Sequence, residues 1–179
     1  GTGLYRNDGP PDYDFTDMTG QYNDYPGLKT PIGFELQDYH SGCAFADVNN
    51  DGLADVLLKT YNAFRFINFY EQQPDHTFML KSFEYGLHRM DTRQPGLVWL
   101  DYDKDGRIDL IMVNNGKIQL YKNHCKDNNN FLELDLRSTG GNYYAIGSKT
   151  FVYSGDKMFM REVSCGQDEM VQFPYRLHF

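Results

Sequence analysis

The stretch DYDKDGRIDL, residues 101–110, places four aspartates, Asp101, Asp103, Asp105 and Asp109, within nine positions and then turns apolar. At a few ångströms each like-charged pair costs on the order of 1 kcal/mol even in water, so the crowding needs a cause. One cause is a solvated turn, because Asp-Gly, here Asp105-Gly106, commonly joins two strands. The other is a cation. Oxygens at loop positions 1, 3 and 5, a backbone carbonyl at position 7 and a carboxylate at position 9 can wrap a hard ion that takes about six to eight oxygens.

The stretch DVNNDGLADV, residues 47–56, has the same layout at a constant offset of 54. Asp47, Asn49, Asp51, Gly52 and Asp55 match Asp101, Asp103, Asp105, Gly106 and Asp109, and the position-7 carbonyls belong to Leu53 and Arg107. Two such loops make a solvated turn a poor account of either. Calcium fits them better than magnesium, which prefers rigid octahedral geometry and keeps its waters. An EF-hand would need a bidentate Glu at position 12, where Leu58 and Met112 stand. Two calcium sites are expected. The second should be the tighter, since it carries four formal negative charges against three in the first, where Asn49 replaces an acid.

Strands must hold these loops. CAFADV and ADVLLKTY flank the first, and GLVWLDY and IDLIMV flank the second; all are short, apolar and bounded by Gly or acidic turns. Gly42 and Gly96 keep the same register. No window shows a helical stripe, and aromatics at 16% suit pleated surfaces. The pattern predicts an all-β protein with a repeat of roughly 50 residues, as in propeller-type arrays.

The strand-loop-strand units FADVNNDGLADVLL and WLDYDKDGRIDLIMVNNG, with LYRNDG and LYKN, resemble the FG-GAP/VCBS repeats of integrin-like β-propellers. The resemblance assigns residues 1–127 to such repeats: the tail of one unit, then two units with acidic loops at 47–55 and 101–109. Residues 128–179 resemble the ASPIC/UnbV module, which follows such repeats in proteins similar to cartilage acidic protein. Asn142, Ala145, Ile146, Gly147, Arg161, Glu162, Val163, Ser164 and Gly166 carry that likeness. In this module Leu132, Leu134 and Leu136 alternate, STGGN turns, and KTFVYSG and MFMREVS read as strands. The expected architecture is therefore partial propeller-like repeats followed by a small C-terminal β module.

Composition narrows the function. A formal net charge of -8 argues against nucleic acid, because no basic stretch could release counterions. No apolar run reaches the length of about 18 residues needed to span a membrane as a helix. The chain lacks an initiator Met and a signal-peptide pattern, and it starts in mid-repeat, so a fragment or processed product is expected. No nucleophile elbow, zinc-protease helix, Walker loop or dinucleotide fingerprint occurs, and carboxylates gathered on one cation stay ionised, unlike a general acid. No enzyme is expected. His40, His76, His88, His124 and His178 lack metal-ligand spacing and read as surface or strand residues.

Among the aromatics, Tyr39, Tyr61 and Phe64 read as core or cross-strand residues, whereas Tyr143 and Tyr144 sit beside a Gly-Gly turn where a carbohydrate or protein could stack. Cys43 reads as a buried small hydrophobe, and Cys125 and Cys165 are open to bridging in an oxidising compartment. Together these features suggest a calcium-binding structural or adhesion protein, extracellular or at the cell surface, that binds a protein partner or self-associates into an oligomer or filament. The alternative is a glycan-binding, lectin-like module or an accessory module of a larger secreted enzyme.

Overall fold

The computed structural model describes residues 3–18, 32–34, 40–60, 67–88, 96–114, 116–126, 129–166 and 171–179. Tyr39, Tyr61 and Phe64 lie outside them. Among the described residues every regular element is a strand, so the protein is all-β, in small open sheets with no closed barrel. None of them forms a helix long and apolar enough to cross a membrane. The chain divides into two compact units: Gly1–Cys43 with Asp55–Pro95, and Ala44–Ala54 with Gly96–Phe179.

In the first unit β1 (Tyr5–Asn7) and β2 (Phe15–Asp17) form an exposed antiparallel hairpin. β3 (His40–Ala46), of which His40–Cys43 belong to this unit, β4 (Asp55–Thr60), β5 (Asn68–Gln72) and β6 (Phe78–Leu80) form a four-stranded sheet in sequence order, with β4–β5 and β5–β6 antiparallel. The apolar run of β4 buries Val56, Leu57 and Leu58 in succession, as expected of a strand covered on both faces. Val56 and Leu58 join Ile32, Phe34, Tyr70 and Phe78 in one core cluster. Phe34 meets Tyr70 edge-on at 4.8 Å and stacks on Phe78 at 4.7 Å, geometries that satisfy the ring quadrupoles.

In the second unit β7 (Gly96–Leu100), β8 (Asp109–Asn114) and β9 (Lys117–Tyr121) form an antiparallel meander. Period-2 alternation sets its faces. Leu97 pairs with Met112 and Trp99 with Leu110, and all four are buried. On the other face Val113, Ile118 and Leu120 remain exposed. β10 (Glu133–Leu134) pairs with β13 (Leu177–His178), and β11 (Lys149–Ser154) with β12 (Lys157–Glu162). The leucine alternation at 132–136 thus yields only a two-residue strand, while the strand readings at 149–155 and 158–164 hold to within two residues at each end.

Cys43 corrects an expectation. It lies in β3, but Ala44 takes the buried side and Cys43 and Phe45 face outward, because neighbours in a strand point to opposite faces. No disulfide links Cys43, Cys125 and Cys165.

Candidate metal centre

Both acidic loops join two strands, and in each the ninth residue, Asp55 or Asp109, opens the second strand. Their backbones are folded alike. In the second loop Asp101 accepts the amides of Asp105 at 3.2 Å and Gly106 at 2.7 Å, and Asp105 accepts that of Arg107 at 3.1 Å. In the first, Asp47 accepts the amides of Asp51 at 3.0 Å and Gly52 at 2.9 Å, and Asp51 accepts that of Leu53 at 2.7 Å. Positive φ recurs at the same offsets: Asn50 and Lys104 at 55° and 61°, Gly52 and Gly106 at 88° and 84°. The sequence repeat is therefore a repeat of backbone conformation.

Glycine at position 6 answers to two demands, the left-handed φ and an aromatic ring laid over the turn. A Cβ at Gly106 would come within 2.0 Å of Phe131 Cε1, and one at Gly52 within 2.5 Å of Phe159 Cε1. Gly106→Ala is therefore expected to lose about 1–2 kcal/mol to the backbone alone, with displacement of the Phe131 ring adding to it. Chemical denaturation of the variant measures this, and an unchanged midpoint would contradict it.

The two loops differ in what their side chains do. Asp101, Asp103 and Asp109 each present a carboxylate oxygen, and the three oxygens lie within 4.8 Å of one another. Asp109 is 1% exposed; its two oxygens accept the amides of Asn123 at 2.7 Å and Tyr102 at 3.2 Å. Burial pushes its carboxyl above the usual range, and the charges of Asp103 and Asp105 push the same way against those two amides. A carboxylate has about four lone-pair sites, so the amides bonded to Asp101 and Asp109 leave each with capacity for a cation. An all-oxygen, anionic donor set suits a hard ion.

Asp105 is turned aside from this group. Its carboxylate is bonded by the Arg107 guanidinium and lies 3.4 Å from Lys122 Nζ, while Lys122 also bonds Asp103. Burial pushes Asp105 upward, but the Arg107 amide, Lys122 and the two cationic charges outweigh it, and its carboxyl titrates below the usual range. The hydrogen bond to Asp103 in turn raises Lys122. An ammonium thus supplies part of the counter-charge a metal would bring.

In the first loop Asn49 donates to Asp51 at 3.0 Å and accepts the Asp51 amide at 3.1 Å, so both side chains are engaged locally. Asp47 is 5% exposed, and burial, with a smaller push from Asp51, raises its carboxyl to about 6. Leu53 is half-buried. Asp55 belongs to the first unit, where its Oδ1 accepts the Gln72 amide at 2.9 Å, the counterpart of the bond from Asn123 to Asp109. Among the described residues, Asp101, Asp103 and Asp109 are the acidic group that converges tightly enough to hold a metal ion.

Asparagines stitch the second unit's loops together. Asn50 Nδ2 donates to the Gly106 carbonyl at 2.9 Å, Asn123 Nδ2 to the Val48 carbonyl at 2.7 Å, and Asn129 Nδ2 to the Asn49 carbonyl at 3.1 Å. His178 Nε2 lies 2.8 Å from Asn50 Oδ1. Sequence spacing did not single out Asn50, Lys122, Asn123 or His178 as partners of the loops. Only Asn50 carried a signal, as an Asn at a turn position that tolerates positive φ.

No protein-family model, curated protein or solved structure matches this chain.

Proposed function

We propose that the second acidic loop binds calcium, as the tighter of two such sites, and that the protein is a structural or adhesion component, extracellular or at the cell surface. The convergence of Asp101, Asp103 and Asp109 within 4.8 Å carries this reading. Bound there, the ion would neutralise the buried Asp109 and tie the end of β7 to the start of β8, so that metal binding adds to folding free energy. The first loop, with the same backbone but its side chains turned to local hydrogen bonds, is the weaker site.

Other features support a non-enzymatic, FG-GAP/VCBS-like reading. The four-stranded sheet β3–β4–β5–β6 has the strand count of a propeller blade. Exposed apolar residues suit self-association or a protein partner: Val113, Ile118 and Leu120 on one sheet, and Phe151, Tyr153, Met158 and Met160 on the β11–β12 hairpin. The shared loop geometry, at a constant offset, is what tandem repeats would give.

Lys122 offers a test that acid-to-alanine variants do not. Its ammonium must leave Asp103 and Asp105 when an ion enters, so Lys122→Met is expected to tighten calcium binding by roughly two- to fivefold, the scale of an exposed ion pair. Calorimetric titration of the full chain measures it. Unchanged or weaker binding would mean that the ion does not compete for Asp103.

A further inference from the structure

The strands that the two acidic loops join belong to sheets of unequal size. In the first sheet β5 pairs with β4 on one edge and with β6 on the other, whereas in the second β9 pairs with β8 alone. Leu120 of β9 corresponds to Phe69 of β5, because their cross-strand partners, Ile111 and Leu57, stand 54 positions apart in the repeat. Their surroundings differ. Phe69 donates its amide to Ser82 Oγ at 2.9 Å, accepts the Lys81 amide at 2.8 Å, lies 4.7 Å from the Tyr85 ring and is fully buried. Leu120 is 48% exposed, and Ile118, its neighbour on the same face, 77%.

The register of the hairpin fixes which backbone groups face the open edge. Asn114 and Lys117 are its closing pair, so bonding alternates from there: Lys117, Gln119 and Tyr121 bond to β8, and the N–H and C=O groups of Ile118 and Leu120 point away from it. Phe69 keeps the same phase, since its two groups reach Ser82 and Lys81 on the far side of β5. Among the described residues no backbone hydrogen bond covers the edge of β9. Water can satisfy such groups, so the drive to cover them is apolar. On this outer face Val98, Ile111 and Val113 of β7 and β8 lie beside Ile118 and Leu120. Pro and bulges, which blunt many edges, are absent from β9, and its one charge, Lys117, stands at the turn end.

The strand's own sequence says what fits this edge. Lys117-Ile118-Gln119-Leu120-Tyr121 is self-complementary about Gln119 when two copies run antiparallel. Ile118 then falls opposite the partner's Leu120, a register in which the outward groups of each exchange hydrogen bonds with the other. Side chains agree with it. Apolar meets apolar on the outer face, and on the inner face Gln119 meets the partner's Gln119 and Lys117 the partner's Tyr121, a cation against a ring with no like charges opposed. Each outer row runs through both sheets, Val113 and Ile118 continuing into the partner's Leu120 and the partner's Ile111. Sliding to the next register either way sets Leu120 against the partner's Gly116, or Ile118 against the partner's Lys122, whose ammonium bonds Asp103.

We propose that the open edge of β9 pairs antiparallel with β9 of a second copy of this chain, joining two three-stranded sheets into one across a two-fold axis. A ribbon of two short strands is small beside the interfaces of stable complexes, so the dimer is expected to dissociate in the micromolar range. The inference rests on the self-association part of the reading above and names its surface. Calcium binding is a separate matter, since β9 carries none of the loop ligands, and it is tested by its own titration.

The test is sedimentation velocity of the full chain in calcium at concentrations from about 1 to about 200 μM. The wild type should show a reversible monomer–dimer equilibrium. Leu120→Pro removes an outward N–H and no bond to β8, so it should fold, as circular dichroism reports, and sediment as a monomer. Gln119 meets its own copy on the two-fold axis, so Gln119→Lys and Gln119→Glu should each weaken the dimer about two- to fivefold, and an equimolar mixture of the two should restore it. This second pair of variants decides the matter if the proline variant does not fold. A wild type that stays monomeric at the highest concentration overturns the proposal together with self-association. Association that survives in a folded Leu120→Pro variant, or a Lys–Glu mixture no tighter than either variant alone, overturns the β9 pairing and leaves self-association to another surface.

Discussion

Calcium at a hundredfold excess over its dissociation constant is expected to raise stability by about 2.7 kcal/mol, because an ion bound only by the native state contributes RT ln(1 + [L]/Kd). For a chain of this size that corresponds to a rise of roughly 5–10 °C in the thermal midpoint. The structural source of the coupling is the buried Asp109, whose oxygens hold the amides of Asn123 and Tyr102 beside two further carboxylates. With EDTA those carboxylates face one another, with Lys122 paired to Asp103 and Arg107 to the neighbouring Asp105 as counter-charge among the described residues. Thermal melts with calcium and with EDTA measure the difference, and superimposable curves would reduce the loops to solvated turns.

A second large effect is expected from Asp47 in the metal-free protein. Burial raises its carboxyl from 3.8 to about 6, so between those pH values the native chain holds a proton that the unfolded chain has lost. Stability then falls as pH rises through this window, by about 3 kcal/mol in total. Burial raises Asp109 and Glu133 in the same direction. Asp105 and Asp135, held below the usual range, act with the opposite sign at more acid pH, where their stabilisation is lost as pH falls. His178, whose imidazole burial pushes below its usual value, also acts with the opposite sign, and it does so in the upper part of this window. Denaturant titrations in EDTA from pH 4 to pH 7 should show the decline, and Asp47→Asn should flatten most of it. An Asp47→Asn profile that runs parallel to the wild type across the window would contradict the burial of Asp47 as a charged group.

The acidic loops were legible because residue type, spacing and conformation repeat together: Asp at position 1 to bind two amides, Gly at position 6 for a left-handed turn. The all-β class followed from the same punctuation of short apolar runs by Gly and Asp. What escaped the sequence was set by partners far along the chain. Asp105 occupies a ligand position by spacing, yet it is drawn to Arg107 and to Lys122, which lies just past β9 where no local pattern marks it. Cys43 was misread because its apolar neighbours suggest burial, whereas strand alternation gives the inward place to Ala44. A cavity in the second unit was invisible for a related reason. Tyr144 stood out beside its Gly-Gly turn, but His178, Arg161 and Glu133 belong to three different strands and line one cavity only because β10 pairs with β13 and β12 packs beside it.

Calcium titration of the chelator-treated full chain, compared with Asp103→Ala, tests the cation site most directly. Asp103 is exposed and contributes little to the fold beyond its pair with Lys122, so the variant removes a ligand without removing a structural carboxylate. The wild type should bind calcium in a tight phase of one ion per chain, which Asp103→Ala abolishes and Asp51→Ala leaves in place. Absence of saturable calcium binding by the wild type, or a tight phase that survives Asp103→Ala, would contradict the site.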